Sequence, residues 1–270
     1  MVSRMQSKSN PWIVCRRPDA AAPTRLFCFP YAGGGSMIYH RWPAGLMGVA
    51  EVLAVQPPGR ESRLGEKPYT RLTEMCEGLY ESVLPLLDRP FVFFGHSMGA
   101  VLAFELARML AREAGREPLH LYVSARDAPQ LPSDEPETYN LPEPEFIEYV
   151  IDLNGTPREV LENAELRQLV LPPLRADFSV CQTYRFEGGP PLGCPITAFG
   201  GLGDRIGRER LEAWREHTAS TFELRMFPGD HFFVNTELPS VLAVIARDTY
   251  RHLGELGERN GGKSHNLIGD

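Results

Sequence analysis

The chain has 270 residues, with 28 Lys and Arg against 35 Asp and Glu, a formal net charge of −7. That acidic balance argues against a general binder of nucleic acid or of anionic membranes, since both would repel it at long range. An apolar share of 43% with 23% charged residues excludes a disordered or fibrous chain, and a chain this long can bury about 75% of its unfolded surface without metal or disulfide staples.

The leader Met1–Asn10 is polar and lacks the apolar stretch of a signal peptide. No run reaches the roughly 18 apolar residues of a membrane span. Cys15, Cys28, Cys76, Cys181 and Cys194 are odd in number and scattered, with no CxxC spacing, so neither a disulfide framework nor a zinc site is expected. Cys28 and Cys194 lie in or beside apolar runs and read as small buried hydrophobes. A cytoplasmic, reduced protein is the expectation.

In chain order, strands are predicted at Leu26–Pro30, Val52–Gln56, Phe91–Gly95, Leu119–Ser124, Ile196–Phe199 and Phe222–Phe227. Several are continuously apolar, as strands covered on both faces are. Helical patterns fall at Leu72–Leu87, Ala100–Arg112, Glu209–His217 and Leu238–Leu253. Strand alternating with helix implies an α/β fold with a mostly parallel sheet. One segment breaks the rhythm. From Ala128 to about Pro195 no strand is predicted; a proline-rich acidic stretch, Pro129 to Pro144, precedes helical patterns at Glu145–Asp152, Pro157–Asn163 and Glu165–Arg185. So long an insertion between strands should be a helical lid. The expected organisation is a core in two parts, 1–127 and 195–253, a lid at 128–194 and a mobile tail at 254–270.

The sharpest local signal is Phe91-Val-Phe-Phe-Gly95-His96-Ser97-Met98-Gly99-Ala100, a GxSxG between a predicted strand and a predicted helix. A very tight strand-to-helix turn leaves Ser97 exposed as a nucleophile, with Gly95 and Gly99 removing side chains that would collide. The Met98 amide then points from the helix N-terminus toward developing negative charge, with its side chain expected in the pocket wall. The bland alternative is a structural Gly-Ser turn.

Acid and base follow the serine in this arrangement, acid first. Of seven histidines, His40 and His96 precede Ser97 or adjoin it, His120 lies in a predicted strand, and His265 is in the tail. His217 and His252 read as solvated helix positions. His231, in Phe227-Pro-Gly-Asp-His231-Phe-Phe, follows the last predicted strand and is the expected general base. Two aspartates compete to orient it. Asp204 follows the glycine-rich Phe199-Gly-Gly-Leu-Gly and is preferred; Asp127, which Arg126 could pair, is the alternative. Asp230 is adjacent to His231 and poorly aimed at its Nδ1. A second oxyanion donor is expected from Phe29-Pro-Tyr31-Ala32-Gly33-Gly34-Gly35-Ser36, through the amide of Ala32 or Tyr31. A phosphate-cradling role for this loop is disfavoured, because no Lys-Ser/Thr follows the glycines.

These residues, together with Trp42, Val55-Gln-Pro-Pro-Gly-Arg60-Glu, Asn154-Gly-Thr-Pro, Leu171-Pro-Pro-Leu-Arg175-Ala-Asp177-Phe, Gly200-Gly-Leu-Gly-Asp204 and Gly229-Asp-His231-Phe-Phe, resemble a type II thioesterase of polyketide or nonribosomal peptide assembly lines. The likeness covers about Pro11 to Leu253. It implies an α/β-hydrolase fold with catalytic Ser97, Asp204 and His231 and oxyanion amides at Met98 and Ala32, without metal or cofactor. It also implies hydrolysis of acyl groups from the phosphopantetheine arm of acyl or peptidyl carrier proteins, clearing stalled or misprimed units. Small acyl thioesters would then be substrates too, and neither nucleic acid nor membrane a partner.

Two departures stand out. Tyr31 replaces a histidine common in such enzymes, and Asp230 a glycine, which adds a charge beside the expected base. The Leu169-Val-Leu-Pro-Pro-Leu run either covers the acyl pocket or only packs the lid on the core. A mobile lid would gate access of the pantetheine arm. Arg60, Arg63, Lys67 and Arg71 read as a solvated face more than a basic docking surface. The rival readings are a general carboxylesterase or lipase-like hydrolase of the same fold, a thioesterase domain from a synthase terminus, and a non-catalytic carrier-binding module.

Overall fold

Seven runs pair into one sheet: β1 (Ile13–Val14), β2 (Thr24–Phe29), β3 (Ala50–Val55), β4 (Phe91–His96), β5 (Leu121–Ser124), β6 (Ile196–Gly201) and β7 (Phe222–Phe227). In the computed structural model, which describes residues 10–133, 136–153 and 155–261, their order is β1-β3-β2-β4-β5-β6-β7. All pairings are parallel except β1 with β3. The expected parallel sheet is thus present. The two-residue β1 was not anticipated, because a strand that short carries no periodicity to read.

Helices cover both faces. Along β4, Phe91 and Phe93 pack with α2 (Leu72–Val83) and α3 (Met98–Ala114) on one side. Val92 and Phe94 pack on the other, with α1 (Trp42–Gly45) and the C-terminal helices. Continuous apolar strands follow from this double burial. Trp42 is part of that second layer, its ring 4.7 Å from Phe94.

Between β5 and β6 lie α4 (Glu143–Asp152), α5 (Arg158–Glu162) and α6 (Ala164–Thr183), with no named strand among the described residues. Asn163 caps α6 by accepting the amides of Glu165 and Leu166. Phe146, Val150, Leu161, Leu171, Leu174 and Phe178 form a separate apolar cluster here. Next come α7 (Arg208–Glu212), α8 (Phe233–Thr236) and α9 (Leu238–Gly261). The tail expectation is corrected in part: Gly254 to Gly261 continue α9, and the remainder lies outside the described residues. So do Met1–Ser9 of the leader, Asp134 and Glu135 of the proline-rich stretch, and Asn154. No helix among the described residues is long and apolar enough to cross a membrane.

Candidate active site

Central β4 ends at His96, and α3 starts at Met98, so the chain reverses around Ser97 alone. Ser97 adopts φ 54° and ψ −114°, a left-handed conformation costing roughly 1–3 kcal/mol in an ordinary residue. The surroundings enforce it. A Cβ on Gly95 would fall on the backbone of Gly99, and one on Gly99 would fall on the carbonyl of Phe29. The Ser97 amide donates to Ser124 O at 2.7 Å. Met98, the first residue of α3, has no intrahelical acceptor for its N–H. Its side chain is 1% exposed and packs in the core, which corrects its expected place in the pocket wall.

Asp204 and His231 come from neighbouring loops brought together by glycine. At the end of β6, a Cβ on Gly201 would collide with Asp230 O. Because it has none, the two loops run close, with Leu202 N to Phe227 O and Gly203 N to Gly229 O both at 2.8 Å. Asp204 Oδ2 then lies 2.9 Å from His231 Nδ1, the carboxylate 3% exposed and the imidazole 30%. Asp230 is used otherwise: its Oδ1 accepts the Phe232 amide at 2.8 Å. The alternative Asp127 is paired with Arg210 at 2.8 Å, not with Arg126.

Ser97, His231, Asp204, Tyr31 and Ala32 line one cavity of about 260 Å³. Ser97 and His231 are not hydrogen-bonded to each other here; such contacts are often long without substrate and close in the complex. The Ala32 amide has no acceptor among the described residues. Its loop is braced on all sides. Gly33, at φ +80°, donates to Asp177 Oδ2 at 2.7 Å. Ser36 N donates to Gln56 Oε1 at 2.9 Å, and Met37 N to Glu61 Oε1 at 3.0 Å. Tyr31 leans on His96 and Phe232, at 5.8 and 5.2 Å between ring centroids.

The far wall is helical: Tyr149, Val150, Leu153, Leu174 and Phe178. The Leu169–Leu174 run divides between its two expected roles. Leu174 faces the cavity, Leu171 is buried in the helical cluster, and Leu169 is 49% exposed. Arg126 also lines the cavity; sequence reasoning considered it only as a partner for Asp127.

Other expectations are corrected by burial. His217 and His252, read as solvated, are 6% and 8% exposed. His217 Nε2 lies 2.5 Å from Gln130 Oε1, and His252 Nε2 lies 2.8 Å from His120 Nδ1. Burial pushes His217 down to about 4 and His120 down to about 3. Arg60 and Arg63, read as a solvated face, are each 7% exposed. Arg60 pairs with Asp177, and Arg63 lies over the Trp12 ring while bonding Glu66. Lys67 and Arg71 are exposed as expected. Beneath the elbow, His96 Nδ1 lies 2.8 Å from Ser124 Oγ, and burial holds its pKa well below the ordinary value. It is a neutral packing group.

Comparison with known proteins agrees with this geometry. The thioesterase domain family matches residues 24–249. The gramicidin S biosynthesis protein GrsT of Aneurinibacillus migulanus is 46% identical over 229 residues, spanning 84% of this chain and 90% of that protein. Among solved structures, the type II thioesterase BorB from the borrelidin biosynthetic cluster superposes with a TM-score of 0.81 at 35% identity, over 90% of this chain and 98% of that one. YbtT, a type II thioesterase from the yersiniabactin NRPS/PKS pathway, gives 0.81 at 29% identity, over 89% and 99%. A GxSxG elbow, a carboxylate–histidine pair and a helical cover over one cavity therefore coincide with a family match along most of the sequence: the chain belongs to the thioesterase domain family, with the α/β-hydrolase fold of the type II thioesterases.

Proposed function

We propose that this protein is an editing thioesterase that hydrolyses acyl groups from the phosphopantetheine arm of carrier proteins in a polyketide or nonribosomal peptide pathway. The observation that carries the reading is the Asp204–His231 pair, 2.9 Å apart, opening on the same cavity as Ser97. Asp204 fixes the Nδ1–H tautomer, leaving Nε2 to take the Ser97 proton as Oγ attacks the thioester carbonyl. The amides of Met98 and Ala32 receive the oxyanion; one such donor is worth roughly 10²–10³ in rate. Collapse expels the pantetheine thiolate, which takes the proton from His231, and the acyl group stays on Ser97. Water then attacks with His231 again as base, releasing the acid and restoring the serine.

In this reading residues 1–127 and 195–253 carry the chemistry, and 128–194 cover it as a lid. Five free thiols support a reducing compartment, the cytoplasm, as its location. The test is to load a carrier protein with acetyl- or propionyl-phosphopantetheine and follow its intact mass. Loss of the acyl mass with wild type and not with Ser97→Ala is the expected result. An intact thioester alongside cleavage of a simple oxygen ester would overturn the carrier-protein reading and leave a general esterase.

A further inference from the structure

Two motifs behind the family likeness have no part in the chemistry above: Val55-Gln-Pro-Pro-Gly-Arg60-Glu after β3, and Leu171-Pro-Pro-Leu-Arg175-Ala-Asp177-Phe within α6. Arg60 and Asp177 are 117 residues apart, yet they meet in a buried, two-pronged ion pair. Arg60 Nη2 donates to Asp177 Oδ1 at 2.8 Å, and Nη1 to Oδ2. Both groups also grip the glycine loop. Asp177 Oδ2 accepts the Gly33 amide at 2.7 Å, and Arg60 Nη1 donates to Gly34 O at 3.0 Å. One turn earlier on α6, Leu174 packs against Gly33, where a Cβ would lie 2.8 Å from its Cδ1.

Gly33 N–H shares a rigid peptide plane with the carbonyl of Ala32. The Ala32 N–H lies in the preceding plane, with the carbonyl of Tyr31, and that carbonyl accepts the Gly34 amide at 2.9 Å. Holding Gly33 N–H and Gly34 C=O from α6 and Arg60 therefore fixes the turn that orients Ala32, the residue whose amide has no acceptor among the described residues. A buried ion pair is poor evidence for stability, since apolar replacements of similar volume are often as stable or more so. The pair's grip on two peptide groups beside the cavity gives it a different use.

We infer that Asp177, oriented by Arg60, is a positioning residue that holds the Gly33 peptide so that the Ala32 amide faces the oxyanion forming at Ser97. Helix α6 is thereby tied to the sheet side of the site. The inference rests on the proposed roles of Ser97 and Ala32.

The test compares the full-length wild type with Arg60→Met/Asp177→Leu, which removes both charges, and Arg60→Met/Asp177→Asn, which restores a carbonyl oxygen for Gly33. Isosteric Asp177→Asn alone guards against misfolding of the doubles. Turnover of acetyl-carrier protein and of p-nitrophenyl acetate is expressed per Ser97 labelled by a fluorophosphonate, so unfolded molecules are not counted. The Leu double variant should lose roughly 10²-fold in kcat with KM within about threefold, the scale of one oxyanion donor. Its Asn counterpart should recover about tenfold of that loss, and Asp177→Asn alone should fall between it and wild type. Wild-type kcat in all three variants would overturn the positioning role and leave a purely structural ion pair. Wild-type turnover of the ester but not the carrier thioester would remove only the carrier-protein reading. No Ser97-dependent turnover of either would remove the nucleophile reading and this inference with it.

Discussion

The two walls of the candidate catalytic cavity are built by different physics. On the sheet side, positions are set by backbone: glycines that let chains approach, amide-to-carbonyl bonds between the β6 and β7 loops, and buried charges bonded to peptide groups. On the helical side, the lining side chains Val150 and Phe178 pack in an apolar cluster, with rings 5.5 Å apart for Phe146–Phe178 and 5.7 Å for Tyr149–Phe178, and Asp177 of α6 supplies a charged tie from this side to the glycine loop. Backbone and charge-assisted bonds are directional, as transition-state stabilisation requires. Apolar packing tolerates exchange of shape at small cost. In the proposed function, the contrast assigns the reaction class to the first wall and the acyl preference to the second.

The largest effect should come from the sheet side. Asp204→Asn should lower kcat by about 10⁴ through the wrong histidine tautomer, with thermal melting close to wild type; a fall under tenfold in steady-state kinetics would break the account of that wall. Phe93→Ala, in the fully buried core, should cost about 3–5 kcal/mol of stability. Urea unfolding should register it as a lower midpoint with little change in kcat of the remaining folded enzyme. Activity lost without stability would blur the line between core and site.

Next is the response to pH. Folded His217 and His120 sit at about 4 and about 3 against an ordinary 6.5, so the unfolded chain binds protons that the native state refuses. Stability is complete above about pH 6.5 and falls as the pH drops from there toward 4, by about 1.4 kcal/mol per unit for each group. Urea unfolding at pH 7.5 and 5.0 should differ accordingly, and His217→Gln should shrink the difference by about 2 kcal/mol. An unchanged difference would contradict the buried, neutral state of His217.

The smallest effect belongs to the helical wall. Phe178→Ala should leave kcat for acetyl thioesters nearly intact and shift kcat/KM toward longer acyl chains by about tenfold, within the range set by one or two methylenes. Competition between acetyl- and octanoyl-loaded carriers would measure it. A large loss on both substrates would mean that this wall also serves the chemistry.

The elbow was legible in the sequence because its demands are local: Gly95, Ser97 and Gly99 lie within five residues, between a strand and a helix that each announce themselves. Asp204 and His231 followed from chain order and from the glycines beside them. The role of Asp177 could not be read, because its partners Arg60 and Gly33 lie 117 and 144 residues away, and only folding brings them together. The same reasoning explains why Arg60 and Arg63 looked like a solvated face: four cations within a dozen residues carry no mark of which are buried. His217 and His252 failed for a related reason, since helix periodicity places a residue on a face and does not say what covers that face. The edge strand β1 was too short to see, and Gly254 gave no sign that α9 runs past it to Gly261.

The most direct test of the central claim is fluorophosphonate labelling of the folded protein, with the modified residue located by peptide mass spectrometry and the rate compared with His231→Ala. The account predicts one adduct, on Ser97, formed rapidly in wild type and slower by orders of magnitude without the histidine. Absence of an adduct, an adduct elsewhere, or a rate indifferent to His231 would contradict it.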